Sequence, residues 1–243
     1  QEVEQFFITH SYLVGLISFL IGLVCMPLVI KIARTKHLVV RPNKRMSHTG
    51  EVPNVGGIDI CFSFVLTCLL FGFNAIEHNQ FFIIGIFIIL MVGFIDDLLV
   101  LSPLAKLFGE LLSGIALIGF ADMRITHLHG LFGIEQIGIV PSYLLSAFIL
   151  VAIINAINLI DGVDGLASGL GMLYCLFFAL YFALVGETKW SIVSISLIGS
   201  LAVFFCYNVF GKKQKIFMGD SGSLLLGYML TTFVFRFCEM NAY

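Results

Sequence analysis

Long apolar runs separated by short polar segments dominate the chain. A transmembrane helix needs about 20 consecutive apolar residues, and eight runs come close to that length. They lie roughly at Phe6–Ile32, Gly57–Ala75, Phe81–Ile95, Leu104–Ala121, Tyr143–Leu159, Leu166–Val185, Ile192–Phe210 and Ser223–Cys238. The third, fifth and eighth runs are short. The pattern predicts an all-α fold, a polytopic membrane bundle of about eight transmembrane helices.

Basic residues are concentrated in alternate loops of this arrangement. Ten fall on one side, namely Lys31, Arg34, Lys36, Arg41, Lys44, Arg45, Lys106, Lys212, Lys213 and Lys215. Only Arg124, Lys189 and Arg236 fall on the other side. Because positively charged loops stay in the cytoplasm, we expect the N-terminus to lie outside. The longest outer segment, Ile125–Val140, alternates loosely and contains three glycines, which suggests a short hairpin.

The composition supports a membrane protein and excludes a soluble globule. Of 243 residues, 59% are hydrophobic and 12% are charged, whereas soluble domains carry about 25% charged residues. The mean hydropathy is +1.05. The six cysteines lie in apolar stretches without a Cys-x-x-Cys pair, so we interpret them as small apolar residues rather than disulfides or metal ligands. His127 and His129 lack a third ligand in sequence and are read as ordinary loop residues.

Acidic residues at helix ends are the main candidates for chemistry. A carboxylate near the hydrocarbon of a membrane carries a large free-energy penalty, so its presence in a membrane protein usually indicates a function. The predicted topology places five of them at cytoplasmic helix ends, and these are Asp96, Asp97, Asp161, Asp164 and Asp220. They were not used to orient the chain, so their agreement independently supports the eight-span arrangement.

The segment 155–165 is the most specific motif. Asn155, Asn158 and Asp161 recur every third position and would share one slowly drifting helix face. Amides and carboxylates at a membrane interface can hold a hydrated cation and hydrogen-bond a base or sugar. An ordinary helix exit is the alternative interpretation, but it does not require such regular spacing.

Two further motifs and one loop complete the set. The adjacent Asp96 and Asp97 end the third span. Beside Mg²⁺ and a phosphorylated substrate they could act as a base or as an electrostatic organiser. The alternative interpretation is a solvated helix end without a chemical role. In the run 217–223, Asp220 or Ser221 could cap the eighth helix, whose N-terminus would form an anion site, and Phe217 could stack on a nucleobase. The basic loop around His48, with ordered Pro and Gly residues, suits a lipid phosphate or a nucleotide.

Taken in chain order, the motifs resemble those of the polyprenyl-phosphate N-acetylhexosamine-1-phosphate transferases. These motifs are the loop around His48, the pair Asp96-Asp97 followed by Leu101-Ser102-Pro103 and Lys106, the segment 155–165 and the run 217–223. The resemblance covers nearly the whole chain and is greatest to the undecaprenyl-phosphate GlcNAc-1-phosphate transferase branch. It implies transfer of a sugar 1-phosphate from a UDP-N-acetylhexosamine to undecaprenyl phosphate, with release of UMP. It also implies Mg²⁺, or Mn²⁺, as cofactor and a bacterial inner-membrane enzyme whose active site faces the cytoplasm. The expected partners are both substrates and the lipid bilayer, with no nucleic acid; a homodimer is compatible with the family.

The resemblance also implies roles for individual residues. Asp96 and Asp97 match the catalytic aspartates, and Asn158 and Asp220 match the Mg²⁺ positions. Substrate and nucleotide binding is implied for a larger group, which comprises His48, Lys106, Asn155, Asp161, Asp164 and Phe217.

The sequence departs from the family pattern at two points. A third acidic residue is common three positions after the pair, where this chain has Val100. The family also continues into a His-rich cytoplasmic loop, so we expect residues 1–243 to form a single transmembrane transferase domain without the C-terminal part of the family fold. Three alternatives remain open: the phospho-MurNAc-pentapeptide translocase of peptidoglycan synthesis, a transporter, and an inactive fragment.

Overall fold

The computed structural model describes residues 11–40, 52–71 and 79–240, and the following description is limited to them. Helices account for most of this part of the chain. They are α1 (Ser11–Thr35), α2 (Gly56–Phe71), α3 (Asn79–Leu99), α4 (Pro103–Gly114), α5 (Ile139–Ile160), α6 (Leu166–Leu184), α7 (Thr188–Phe205) and α8 (Gly219–Met240). Helices α4 and α7 continue as π-helical stretches, Ile115–Phe120 and Cys206–Phe210. Two antiparallel strand pairs complete the fold: β1 (Val39–Val40) with β2 (Val52–Pro53), and β3 (His127–Leu131) with β4 (Ile134–Gln136).

The described helices confirm a polytopic helical membrane protein. Seven of them are long and apolar enough to cross a membrane, and α2 is an apolar helix of 16 residues. The runs that looked short in the sequence were underestimated, because α3, α5 and α8 extend to 21, 22 and 22 residues. The added residues of α3 and α8 include Asp96 and Asp220, which interrupt an apolar pattern without interrupting the helix.

Helix α8 forms the centre of the bundle. It packs against α2, α3, α5 and α6, and nearly all of its first fifteen residues are buried. Its first turns contain small residues, which permit close helix contact in lipid. A side chain at Gly57 of α2 would collide with the backbone at Ser221 and Gly222. The start of α8 is therefore held directly against the start of α2.

Polar residues gather at both ends of the bundle. At the end of α8, Glu239 accepts hydrogen bonds from the backbone and hydroxyl of Thr126, while Arg236 pairs with Glu187. The β3–β4 hairpin lies at this end, which confirms the hairpin predicted within Ile125–Val140. The predicted site aspartates, which include Asp96, Asp161 and Asp220, lie at the opposite end. Among the described residues, the bundle thus separates the two sets of loops as the topology predicted; which side faces the cytoplasm stays a prediction.

Candidate active site

A cavity of about 370 Å³ opens at the end of the bundle where α8 begins. Its lining comes from segments far apart in sequence: Asn54, Asp96, Asp97, Val100, Asn158, Asp161, Gly162, Gly219 and Asp220. Of the residues assigned roles from the sequence, five line this cavity together: Asp96, Asp97, Asn158, Asp161 and Asp220. The predicted convergence of the acidic helix ends is therefore present in the structure.

Asp97 connects three segments of the chain at the floor of the cavity. Its Oδ1 accepts hydrogen bonds from the Asn54 side-chain amide at 2.9 Å and from the Asp220 backbone N–H at 2.8 Å. Its Oδ2 accepts from the Ser221 backbone N–H at 3.0 Å. These N–H groups belong to the first turn of α8, where helices leave donors unpaired and favour negative charge. Asp97 is thus the N-terminal cap of α8, supplied by α3.

This cap differs from the one predicted for α8. The sequence suggested that Asp220 or Ser221 would cap the helix and leave an anion site at its N-terminus. Instead the helix begins at Gly219, so both residues lie in its first turn and their N–H groups donate to Asp97. Gly219 has a φ of +72°, and a side chain there would come within 2.7 Å of Asp97 Oδ2. The close approach of the Asp97 carboxylate therefore requires glycine.

Lys106 carries the positive charge at the centre of the carboxylates. Its Nζ lies 3.0 Å from Asp96 Oδ2, 3.1 Å from Asp220 Oδ2 and 3.2 Å from Asn158 Oδ1. The Asn158 amide in turn donates to Asp220 Oδ1 at 2.6 Å and to the Ser223 hydroxyl. The Lys106 ammonium therefore neutralises part of the negative charge that Asp96 and Asp220 bring together.

The turn between α3 and α4 determines where Lys106 lies. Asp96 Oδ1 accepts from the Leu101 backbone N–H at 2.6 Å, and the Ser102 hydroxyl caps α4 by accepting from Ala105 N–H. Pro103 occupies the first helical position, where its missing N–H is harmless. This short, well-capped turn places Lys106 one helical turn into α4, facing Asp96. Val100 within the turn has a φ of +52°, which is strained for a β-branched residue.

Asp161 and Asp164 follow the end of α5 and have different surroundings. Burial, as the largest cause, and the negative charges of Asp220, Asp97 and Asp164 together raise the pKa of Asp161 to about 8. Asp164 does not line the cavity; it pairs with Lys215 in the loop before α8. Lys215 also lies over the Phe217 ring, 5.6 Å from its centroid. Asp161 is therefore the more enclosed of the two carboxyl groups.

Asn155 lies one turn deeper than Asn158 and points away from the cavity lining. Its amide donates to Glu110 Oε2 at 2.8 Å and to the Val151 carbonyl. Glu110 belongs to α4 and is fully buried. The predicted role of Asn155 in nucleotide binding stays a prediction, and the structure adds Glu110 as its immediate partner.

Asn208 connects the two loops beside the cavity. Its side-chain oxygen accepts from Gly165 N–H at 2.7 Å, and its amide donates to the Ile216 carbonyl at 2.9 Å. Phe217 is held by backbone bonds to Pro53 and Gly56. The loop before α8 is thus tied both to segment 161–165 and to the segment before α2. His48 lies outside the described residues.

The oxygens around Lys106 suit a hard divalent cation. Carboxylate and amide oxygens are typical ligands of Mg²⁺, which usually keeps several waters and uses only one or two carboxylates plus substrate phosphates. Within the described residues, no three His, Cys, Asp or Glu side chains form a ready-made metal cage. The arrangement therefore fits a cation held by Asp220 and Asn158 together with a phosphorylated substrate.

Comparison with known proteins identifies the family. The sequence profile described as glycosyl transferase family 4 matches residues 79–237, which include every cavity residue except Asn54. The chain belongs to glycosyl transferase family 4. An undecaprenyl-phosphate alpha-N-acetylglucosaminyl 1-phosphate transferase of Yersinia pestis is 30% identical over 223 residues, covering 88% of this chain and 59% of that protein.

Two other family 4 relatives agree. The protein of the same name from Escherichia coli O157:H7 is 31% identical over 206 residues, covering 82% of this chain and 54% of that protein. A probable undecaprenyl-phosphate N-acetylglucosaminyl 1-phosphate transferase of Bacillus subtilis is 32% identical over 217 residues, with 89% and 60% covered. The chain therefore spans little more than half the length of these relatives. The resemblance proposed from the motifs is confirmed at the level of the family.

Two residues of the site were missed by the sequence analysis. Asn54 lies beside Pro53 in a loop, and its only distinguishing mark was its position among ordered Pro and Gly residues. Glu110 is an isolated acid in the apolar run Leu104–Ala121, one helical turn after Lys106. An intramembrane carboxylate is itself a signal of function, and that signal could have identified Glu110.

Proposed function

We propose that the protein transfers N-acetylglucosamine 1-phosphate from UDP-N-acetylglucosamine to undecaprenyl phosphate and releases UMP. The observation that carries this proposal is that Asp96, Asp97, Asn158 and Asp220 line one cavity at one end of an apolar bundle, where Lys106 contacts three of them. Family membership and the names of the relatives support it. Such a site can admit a soluble nucleotide from the water and a lipid phosphate from the membrane.

The basic loops and the acidic helix ends occur on the same side of the bundle. Following the positive-inside rule, we place this side in the cytoplasm of a bacterial inner membrane. A nucleotide sugar made in the cytoplasm would reach the cavity from there, and the polyprenyl chain would remain in the bilayer beside the helices. The product is then a lipid diphosphate sugar, the first membrane intermediate of a cell-surface polysaccharide.

The charged residues have distinct tasks in this reaction. An oxygen of the lipid phosphate attacks the β-phosphorus of the UDP-sugar, so two anions must approach each other. Lys106 pairs with Asp96 and Asp220 and neutralises part of their charge while no cation is bound. Asp97, fully engaged with Asn54 and α8, acts as an organiser that fixes the position of Asp220. Asp161 lies on the nucleotide side of the cavity.

A divalent cation fits this site at Asp220 and Asn158, which are two of the three residues whose oxygens contact Lys106; the third is Asp96. When bound, Mg²⁺ would screen the charge between the phosphates and stabilise the leaving UMP. The aspartates of the cavity would then have two roles: Asp220 would bind the cation, and Asp97 would fix the position of the helix that carries Asp220.

An assay of membranes containing the protein tests the proposal. Labelled UDP-N-acetylglucosamine, undecaprenyl phosphate and Mg²⁺ should give a labelled lipid diphosphate sugar and an equal amount of UMP. Asp220→Asn should reduce turnover by a factor of about 100 or more, since one transition-state contact contributes that much. Asp122→Asn, the same change at the opposite end of the bundle, is the control.

Three results would contradict the proposal. Full Mg²⁺-dependent UMP release by Asp220→Asn would remove the cation assignment. Uptake of the labelled sugar without UMP would indicate a transporter. A preference for UDP-MurNAc-pentapeptide over UDP-N-acetylglucosamine would indicate the translocase of peptidoglycan synthesis instead.

A further inference from the structure

Glu110 and Asn155 form a second polar layer beneath Lys106 and Asn158. Helix α4 contributes Lys106 and Glu110, four residues apart, while α5 contributes Asn158 and Asn155, three residues apart. Lys106 bonds to Asn158 at 3.2 Å, and Asn155 bonds to Glu110 at 2.8 Å. With a rise of about 1.5 Å per residue, the two layers are roughly 4.5–6 Å apart.

The upper layer poses a conflict for cation binding. The Lys106 ammonium contacts one oxygen of Asp96, one of Asp220 and the carbonyl oxygen of Asn158. These include the oxygens that the proposed Mg²⁺ site would use. An ammonium and a divalent cation at the same oxygens repel each other and compete for the same lone pairs, so binding of the cation favours displacement of Lys106.

The lower layer offers Lys106 a second position. Glu110 is fully buried, its Oε2 is taken by Asn155, and its Oε1 has no hydrogen-bond partner within the described residues. A buried carboxyl oxygen without a partner is costly. Residues four apart on a helix lie on one face with about 5–6 Å between their Cβ atoms, which the flexible lysine side chain can span.

We propose that Lys106 is a displaceable counter-ion and that Glu110 is the positioning residue that receives it. In the cation-free protein the Lys106 ammonium neutralises Asp96 and Asp220. When the divalent cation binds, the ammonium moves one layer deeper and donates to Glu110 Oε1. The carboxylates therefore remain compensated in both states, and the site does not have to open to exchange one cation for another. This inference rests on the cation assignment of the proposed function.

Mn²⁺ binding to the purified protein in nanodiscs, followed by electron paramagnetic resonance, tests the inference without an activity measurement. Lys106→Met removes the competitor, so the Mn²⁺ affinity should rise about tenfold if Lys106 occupies the cation position about 90% of the time. Glu110→Gln keeps the size and an acceptor for Asn155 but weakens the second position. It should lower the affinity about tenfold, in the range seen when residues supporting a metal site are changed.

The double variant distinguishes a switch from a structural role. If Glu110 acts only by receiving Lys106, Glu110→Gln should have no effect on Mn²⁺ affinity in the Lys106→Met background. An equal loss in both backgrounds, or no effect of Glu110→Gln on the otherwise unchanged protein, would overturn the inference. Glu135→Gln, an exposed residue of the hairpin at the other end, is the matched control.

Failure of the switch can be told apart from failure of the cation site. If Asp220→Asn abolishes Mn²⁺ binding but Glu110→Gln leaves it unchanged, the site stands and the switch is wrong. If Asp220→Asn binds Mn²⁺ as well as the unchanged protein does, the cation assignment is wrong and the inference fails with it.

Discussion

Replacing Asp97 by Asn should destabilise the protein as well as reduce its activity. The carboxylate accepts three hydrogen bonds, from Asn54 and from the backbone of Asp220 and Ser221. In the asparagine variant, the amide oxygen can still accept the two hydrogen bonds that Oδ1 accepts from Asn54 and Asp220. These become bonds to a neutral acceptor, and each is weaker by about 1 kcal/mol. The new NH₂ group then faces the Ser221 N–H, and this buried donor loses its partner at a cost of about 1–3 kcal/mol.

The expected loss in the free energy of unfolding is about 3 kcal/mol. This is the lower end of the summed range, because these hydrogen bonds are only partly shielded from water. For a protein of this size, 1 kcal/mol corresponds to a shift in Tm of about 2–4 °C. Asp97→Asn should therefore lower Tm by roughly 6–12 °C. The single tryptophan, Trp190, is buried, so its fluorescence reports unfolding in detergent or nanodiscs.

Asp164→Asn is the matched control for this prediction. It makes the same chemical change at the same end of the bundle, but it removes a pairing between partly exposed groups, Asp164 and Lys215. Such pairs contribute at most about 1 kcal/mol. A normal Tm for Asp97→Asn together with loss of UMP release would refute the capping argument and would make Asp97 a group that acts on the substrate.

Further changes test the electrostatics and strain around the site. Because the pKa of Asp161 is raised to about 8, the folded protein retains a proton that the unfolded chain releases above about pH 4. With a chelator present, the contribution of Asp161 to the free energy of unfolding should fall as the pH rises from about 4 to 8. The Tm of Asp161→Asn should therefore exceed that of the unchanged protein by an amount that grows up to about pH 8. A Tm difference between the two proteins that does not change with pH would contradict this. Asp59 is fully buried and both carboxyl oxygens lack partners within the described residues. Asp59→Ala should therefore raise Tm, whereas truncation of a well-paired buried residue lowers it. Val100→Asn should raise stability by about 1 kcal/mol, since asparagine tolerates a positive φ better than a β-branched residue; an unchanged or lower Tm would argue against strain.

The sequence was sufficient to predict that the acidic residues meet. Apolar runs located the helices because a span must be apolar over its length. Alternating basic loops then placed Asp96, Asp161 and Asp220 on the same side. The hairpin of β3 and β4 followed from Gly130 and Gly133, where the chain adopts a positive φ. These features depend on local composition and on the order of segments, and both can be read directly from the chain.

The connections within the site could not be predicted in the same way. Asp97 caps a helix whose N–H groups are 123 and 124 residues away, and no local pattern encodes that pairing. Asn155 and Asn158 share a spacing in sequence, yet one turns to Glu110 and the other to Asp220. That difference depends on which helix packs against each turn of α5, so it requires the tertiary structure.

Close packing of small residues explains why those connections form at all. Helix α8 has the lowest mean hydropathy of the seven long helices but is the most buried, since in lipid the interior of a bundle is selected by fit rather than by hydrophobicity. A side chain at Gly93 of α3 would come within 2.5 Å of the Asp220 carbonyl. This contact holds the turn that contains Asp97 against the first turn of α8. The glycines thus determine the positions of the carboxylates, and the carboxylates determine the chemistry of the site.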